Sequence, residues 1–473
     1  MPSHRCPRPK RFGKCYASAR KFICAYLFAA VIALFFCSPA HAQGGVPLVT
    51  VATDQSPLNL SNQFGVPKGT AINQAGDFAF VGNGNSALFF RAAGATPITR
   101  ILQVGDEVPG FPESQILSFS STLKLNSAKS LFFTANFSLA DGLVHDALLT
   151  YDGANFHTIV SSDDIAPGSG GAPYGIGLNP VGINDKGDVA FSSRNSLIPR
   201  PQITLYIAPS GGSPVRVVGP GDPLPQPPAL CPFGSICSIG GSPFEILSIF
   251  SGLNARGEVL FGVGVNLYVG NAGGFSLVTM ADSGPCSGSF SSFISQGKLN
   301  NAGMVAFVNS TSTGGTICIA QPSGGGPTAA VVNTGDLAPS PIVNGTLSSP
   351  FPLAMNDAGD VLFQSSISGD RANLGLFRYR QSARTVDAVA YTGEAAPGAA
   401  NGDKFASFFF LSSMANDGHV GFQAFLTSGR NAVYQQSGAG IPTLVALDGQ
   451  PAPSSIGGTF GLSPFLPAWH WIR

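Results

Sequence analysis

The sequence predicts an all-β protein, a β-propeller of seven four-stranded blades with eight as the alternative count, preceded by a cleaved signal peptide. Three observations predict it: a charged and then apolar leader, a composition that resists helices, and one short phrase that recurs seven times.

The leader places Arg5, Arg8, Lys10, Arg11, Lys14, Arg20 and Lys21 ahead of an apolar run from Phe22 to Phe36, and then Ala40-His41-Ala42. That run is too short to span a bilayer, and small residues flanking His41 suit a signal peptidase. Residues 1–42 are therefore expected to be removed, leaving a propeller domain over 43–473 in the periplasm, at the cell surface or outside the cell. Seven of the 25 basic residues and none of the 25 acidic ones leave with the leader, so 18 remain against 25. A mildly acidic chain lacks the basic stripe that nucleic acid requires. Beyond the leader no apolar run reaches the ~18 residues of a membrane span.

Charged residues make up only 11% of the 473, against 60 Gly and 37 Pro. Disorder is the bland reading of so much Gly and Pro, but 36 Phe with regular Val, Ile and Leu supply the apolar surface that a core needs.

The recurring phrase is an apolar residue, Asn, two residues, Gly, three residues and Phe. Its copies begin at Ile72-Asn73, Leu125-Asn126, Ile183-Asn184, Leu253-Asn254, Leu299-Asn300, Met355-Asn356 and Met414-Ala415, and close on Phe80, Phe133, Phe191, Phe261, Phe307, Phe363 and Phe422. Lys129 replaces the Gly in the second copy and Ala415 the Asn in the seventh, whereas the Phe never changes. Asn-Asp-x-Gly, as in Asn184-Asp185-Lys186-Gly187, reads as a turn closed at positive φ, where Lys129 costs about 1 kcal/mol. Alternation after it, as in Val189 and Phe191, reads as a half-buried strand.

A second phrase, Gly-Asp-x-x-Pro, falls between the first ones at Asp106, Asp222, Asp336 and Glu394, with weaker copies at Asp54, Asp164, Asp282 and Gln450. A β-rich run precedes each, and aliphatic-aromatic pairs such as Leu205-Tyr206 and Leu376-Phe377 mark one more strand between the phrases. Four antiparallel strands per unit make a propeller blade. The run at Pro47 to Thr53 is an orphan first strand able to complete the last blade. Phe460 to Pro467 looks like the opening of an eighth unit, and the end at Ala468 to Arg473 reads as truncated or frame-shifted.

The seven phrases resemble the bacterial exported proteins named for the N-x-x-G-x-x-x-F tandem repeat. The resemblance covers nearly all of the chain after the leader. It implies surface or extracellular placement and no established activity.

Four cysteines follow the leader, and their proximity pairs Cys231 with Cys237 and Cys286 with Cys318, one of three connectivities open to them. The first pair would pinch the long segment from Pro225 to Pro243. Catalytic, cofactor-binding and metal-ligating constellations are not found. His145, His157, His419 and His470 are scattered without zinc spacing, no Gly-x-Ser-x-Gly elbow occurs, and the stretches Gly168 to Gly171 and Gly324 to Gly326 read as loops. The repeated acids Asp106, Asp164, Asp222, Asp336 and Glu394 read as caps of their own turns, with calcium the one cofactor they leave open. The expected function is a binding or scaffold propeller for a protein or glycan ligand; the alternative is a carbohydrate-active propeller enzyme, a glycan hydrolase or lyase, whose acids would come from different blades.

Overall fold

The computed structural model describes residues 69–451 except 83–84, 94–97, 196–201, 221, 223–246, 250–251, 264–265, 279–285, 287–296, 312–313, 322–325, 343, 370–371, 401 and 439. The leader, the run at Pro47 to Thr53, the pair Cys231 and Cys237, the tail from Phe460 and His470 lie outside them.

The described residues form seven antiparallel sheets, each a meander in which successive strands pair in chain order. Blade 1 comprises Gly69–Ile72, Phe78–Gly82, Ala87–Arg91 and Thr99–Gln103. Blade 3 comprises Asn179–Ile183, Val189–Asn195, Gln202–Ala208 and Val215–Val218, and blade 7 Phe405–Met414, Val420–Leu426, Asn431–Gln436 and Thr443–Leu447. In blades 2 and 6 the first strand is split, as Gln115–Phe119 with Lys124–Leu125 and as Thr346–Leu347 with Phe351–Met355. Blade 4 runs from Leu247–Ile249 to Gly274–Leu277 and blade 5 from Lys298–Leu299 to Gly326–Asn333. The fold is a β-propeller.

First strands of neighbouring blades crowd together at the inner edge. A Cβ on Gly182 in blade 3 would stand 2.2 Å from the backbone nitrogen of Leu253 in blade 4, and one on Gly69 2.2 Å from the Ser121 carbonyl in blade 2. Only glycine permits such an approach.

The second strand differs from the half-buried strand that its alternation predicts. Val189, Ala190 and Phe191 are all buried, as are Val259, Leu260 and Phe261. Blades 2 to 6 each pack against a neighbour on both faces, so small or aliphatic residues fill the face that alternation would leave to water. In five blades the invariant Phe meets, in register on the third strand, the aromatic of the aliphatic-aromatic pair, and in blade 2 it faces Leu149. Phe80 stacks on Phe89 with centroids 4.9 Å apart, Phe191 on Tyr206 at 5.2 Å and Phe422 on Tyr434 at 5.5 Å. In blade 5 that aromatic position is Cys318, opposite Phe307, and a disulfide to Cys286 occupies the space.

The Asn of the phrase joins blades as well as making a turn. In blade 4, Asn254 Oδ1 accepts the backbone N–H groups of Arg256 (3.0 Å) and Glu258 (2.8 Å). Its Nδ2 donates to the Glu258 carboxylate (2.9 Å) and to the Asn300 carbonyl of blade 5 (3.0 Å). The same donation links Asn73 to Asn126, Asn126 to Asn184, Asn184 to Asn254 and Asn300 to Asn356. Between blades 6 and 7 the Asp357 N–H donates to Asn416 Oδ1 (2.9 Å), Asn416 Nδ2 donates to the Asp357 carboxylate (2.7 Å), and the buried Arg378 donates to the Gly418 carbonyl (2.6 Å).

Glycines of the phrase sit at φ from 78° to 87°, and Lys129 adopts 70° in their place. The left-handed conformation costs a non-glycine residue about 1 kcal/mol. The exposed Lys129 ammonium, 3.9 Å from Asp77, returns little of that. K129G is expected to raise stability by about 1 kcal/mol, read as a higher urea midpoint at unchanged slope.

Candidate functional site

A four-stranded meander places its first and third turns at one end of the blade, and its second turn and the link to the next blade at the other. The Asn turns hold the first end. At the second, a cavity of about 720 Å³ opens where the inner strands of blades 2, 3 and 4 meet.

Its floor is set by Asp146, on the third strand of blade 2 and buried. The carboxylate accepts hydrogen bonds from the backbone N–H groups of Gly177 (2.6 Å) and Leu178 (3.2 Å) and from Asn136 Nδ2. Asn136 Oδ1 accepts in turn from Ser118 Oγ (3.0 Å), and Thr134 Oγ1 donates to the Leu178 carbonyl (3.1 Å). Blade 2 thereby clamps the segment that leads into blade 3. Gly177 adopts φ 98°, and the stem of Arg194 lies beside it, where a Cβ added at position 177 would meet the Arg194 Cβ at 3.6 Å, an ordinary contact.

Six polar side chains, Asn85, Ser120, Ser121, Asn179, Ser192 and Arg194, complete the lining beside Phe119, Ile176, Ile203 and Ile249. Asn85 adopts φ 80°, and its buried Oδ1 has no hydrogen-bond partner among the described residues. Arg194 is exposed and has no carboxylate partner among them. Amides and hydroxyls from several blades can hydrogen-bond a hydroxylated ligand, and a volume of this size is that of a small-molecule site.

None of the repeated acids lines the cavity. Each follows a fourth strand and reaches back three residues to a backbone N–H: Asp106 to Gln103 (2.9 Å), Asp164 to Ser161 (2.7 Å), Asp222 to Gly219 (2.7 Å), Asp336 to Asn333 (2.7 Å) and Glu394 to Tyr391 (3.3 Å). Among the described residues no group of three or more His, Cys, Asp or Glu is placed to hold a metal ion. His145 Nδ1 lies 2.8 Å from Asp163, His157 3.3 Å from Asp152 and His419 2.8 Å from Asp417. Gly168 to Gly171 form a loop. No described helix is long and apolar enough to cross a membrane.

The pocket residues were not legible as a site in the sequence, because they come from four blades and share no phrase. An odd signal exists in blade 2, where Asn136 and Asp146 are polar residues that the structure places well inside strands.

The profile of a family of unknown function (DUF7453) matches residues 40–275 and again 267–453. No curated protein matches the chain. Among solved structures, a streptogramin B lyase is 14% identical, with 77% of this chain and 92% of that chain covered, at a TM-score of 0.33. TolB from Acinetobacter baumannii is 14% identical, covering 64% of this chain and 65% of that one at 0.32. YCF48 bound to D1 peptide is 10% identical, covering 83% and 85% at 0.30. Values of this size transfer no chemistry.

Proposed function

The chain belongs to the family of unknown function DUF7453, and from the geometry of its inner-edge pocket we propose that it is an exported binding protein for a hydroxyl-rich ligand, a glycan. The observation that carries this reading is the lining: amide and hydroxyl side chains from several blades around about 720 Å³, with a buried network fixing the floor. Export rests on the leader of residues 1–42, and surface or extracellular placement on the likeness of the repeated phrase to the bacterial tandem-repeat proteins.

A glycan hydrolase of the two-carboxylate kind would need two carboxyl groups about 5–10 Å apart across the bond it cleaves. The described lining carries one, Asp146, and three donors hold it. Binding without turnover is the chemistry these residues support.

Thermal unfolding of the chain from Gln43 onward, with and without a panel of oligosaccharides, checks the reading. A ligand bound only by the folded state, at a hundred times its dissociation constant, adds about 2.7 kcal/mol. A rise with one glycan, lost on replacing Asn136 by Ala, is the expected result; no rise with any of them removes the glycan reading.

A further inference from the structure

We infer that the ligand of this pocket carries an anionic group, that Arg194 reads it, and that the site selects an acidic saccharide over its neutral counterpart. The inference rests on the reading of the pocket as a glycan site and specifies the ligand class.

The pocket holds two charged side chains, and their situations are opposite. Asp146 is buried, and three donors occupy its carboxylate, so it presents no demand to a ligand. Arg194 is exposed, and among the described residues no carboxylate answers it. Its stem lies beside Gly177, whose backbone N–H is held by Asp146. A guanidinium at this position offers a planar fork that matches a carboxylate, sulfate or phosphate with two parallel hydrogen bonds.

A second cation lies along the same inner edge. Lys124 follows the pocket-lining Ser121 by three residues, toward the Asn turns, and has no carboxylate partner among the described residues. At the equivalent position the other blades carry Ala71, Gly182, Gly252, Ala354 and Ser413, all small, and Lys298 in blade 5. Burial holds both lysine ammonium groups below the ordinary lysine value, and neither has a carboxylate partner among the described residues. Positive potential along the inner edge favours an anion in the pocket.

The test is calorimetric titration of the chain from Gln43 with an oligo-uronate, with the same oligosaccharide reduced to its neutral alcohol, and with inorganic sulfate and phosphate. The expected result is binding of the acidic form at least about tenfold tighter than the neutral one, a preference that shrinks with added salt. R194Q is expected to bring the acidic form down to the affinity that the same variant shows for the neutral one, so that the ratio of the two falls to about one. R194K is expected to keep only part of the preference, since an ammonium cannot form the fork. Equal binding of both forms by the unaltered chain overturns the inference and leaves the glycan reading standing, as does a preference that survives R194Q. Sulfate or phosphate binding as tightly as the oligo-uronate assigns Arg194 to free inorganic anions and overturns it as well. Binding of neither oligosaccharide removes the glycan reading and the inference with it.

Discussion

Replacing Phe191 by Ala is expected to destabilise the protein by about 3–5 kcal/mol. Phe191 is fully buried, stacks on Tyr206 at 5.2 Å and touches Tyr174 at 5.6 Å, within a cluster that also takes Phe132 and Leu148 from blade 2. Truncation therefore opens a void between two blades, each already packed on its far side, and neither can move in to fill it without parting from its other neighbour. F191L should cost well under half as much, because most of the volume is kept. Urea unfolding of the two variants measures the difference. A loss below about 1 kcal/mol for F191A would mean that the blade interface collapses freely, contrary to the packing described.

Replacing Asn254 by Ala is expected to cost about 3–5 kcal/mol, through polar groups left without partners. The backbone N–H groups of Arg256 and Glu258 lose their acceptor, and the Glu258 carboxylate and the Asn300 carbonyl lose a donor. A buried polar group stripped of its partner costs about 1–3 kcal/mol, and relaxation recovers part of the total. N254D separates the two roles of the residue. An aspartate makes the turn as well as asparagine does, but it cannot donate, and it sets a second carboxylate against that of Glu258. If the residue served its turn alone, N254D would be nearly neutral. The ladder predicts instead a loss close to that of N254A at neutral pH.

Much of this architecture was legible in the chain. Spacing of the invariant Phe matches the seven sheets of the described residues, and the aliphatic-aromatic pairs gave its stacking partner. Lys129 stands at positive φ where the pattern required glycine. Proximity paired Cys286 with Cys318. The inter-blade role of Asn was missed, although a signal was present: a simple turn would accept Asp or Ser, yet six of the seven phrases hold Asn, the residue that accepts and donates at once. Alternation misled about the second strand, because period two reports which side chains are large and not whether the opposite face meets water. Residues of the pocket were illegible for a different reason. Asn85, Asn136, Asp146 and Arg194 are brought together by the curvature of the blades, and nothing in a linear chain records it.

The asparagine ladder also has a direction. Each of the five asparagine links passes from one blade to the next in chain order, so a repeat inside the ladder carries a donor for its successor and an acceptor for its predecessor. Asn356 receives the last of them, and the contact from blade 6 to blade 7 is made instead by Asp357, Asn416 and Arg378. In the language of polymers, blades 2 to 5 are propagating units, each taking from one neighbour and handing on to the next, while blade 6, among the described residues, takes without handing on. Tandem duplication of one of blades 2 to 5 would preserve every link, whereas duplication of blade 7 would insert a unit that lacks the asparagine.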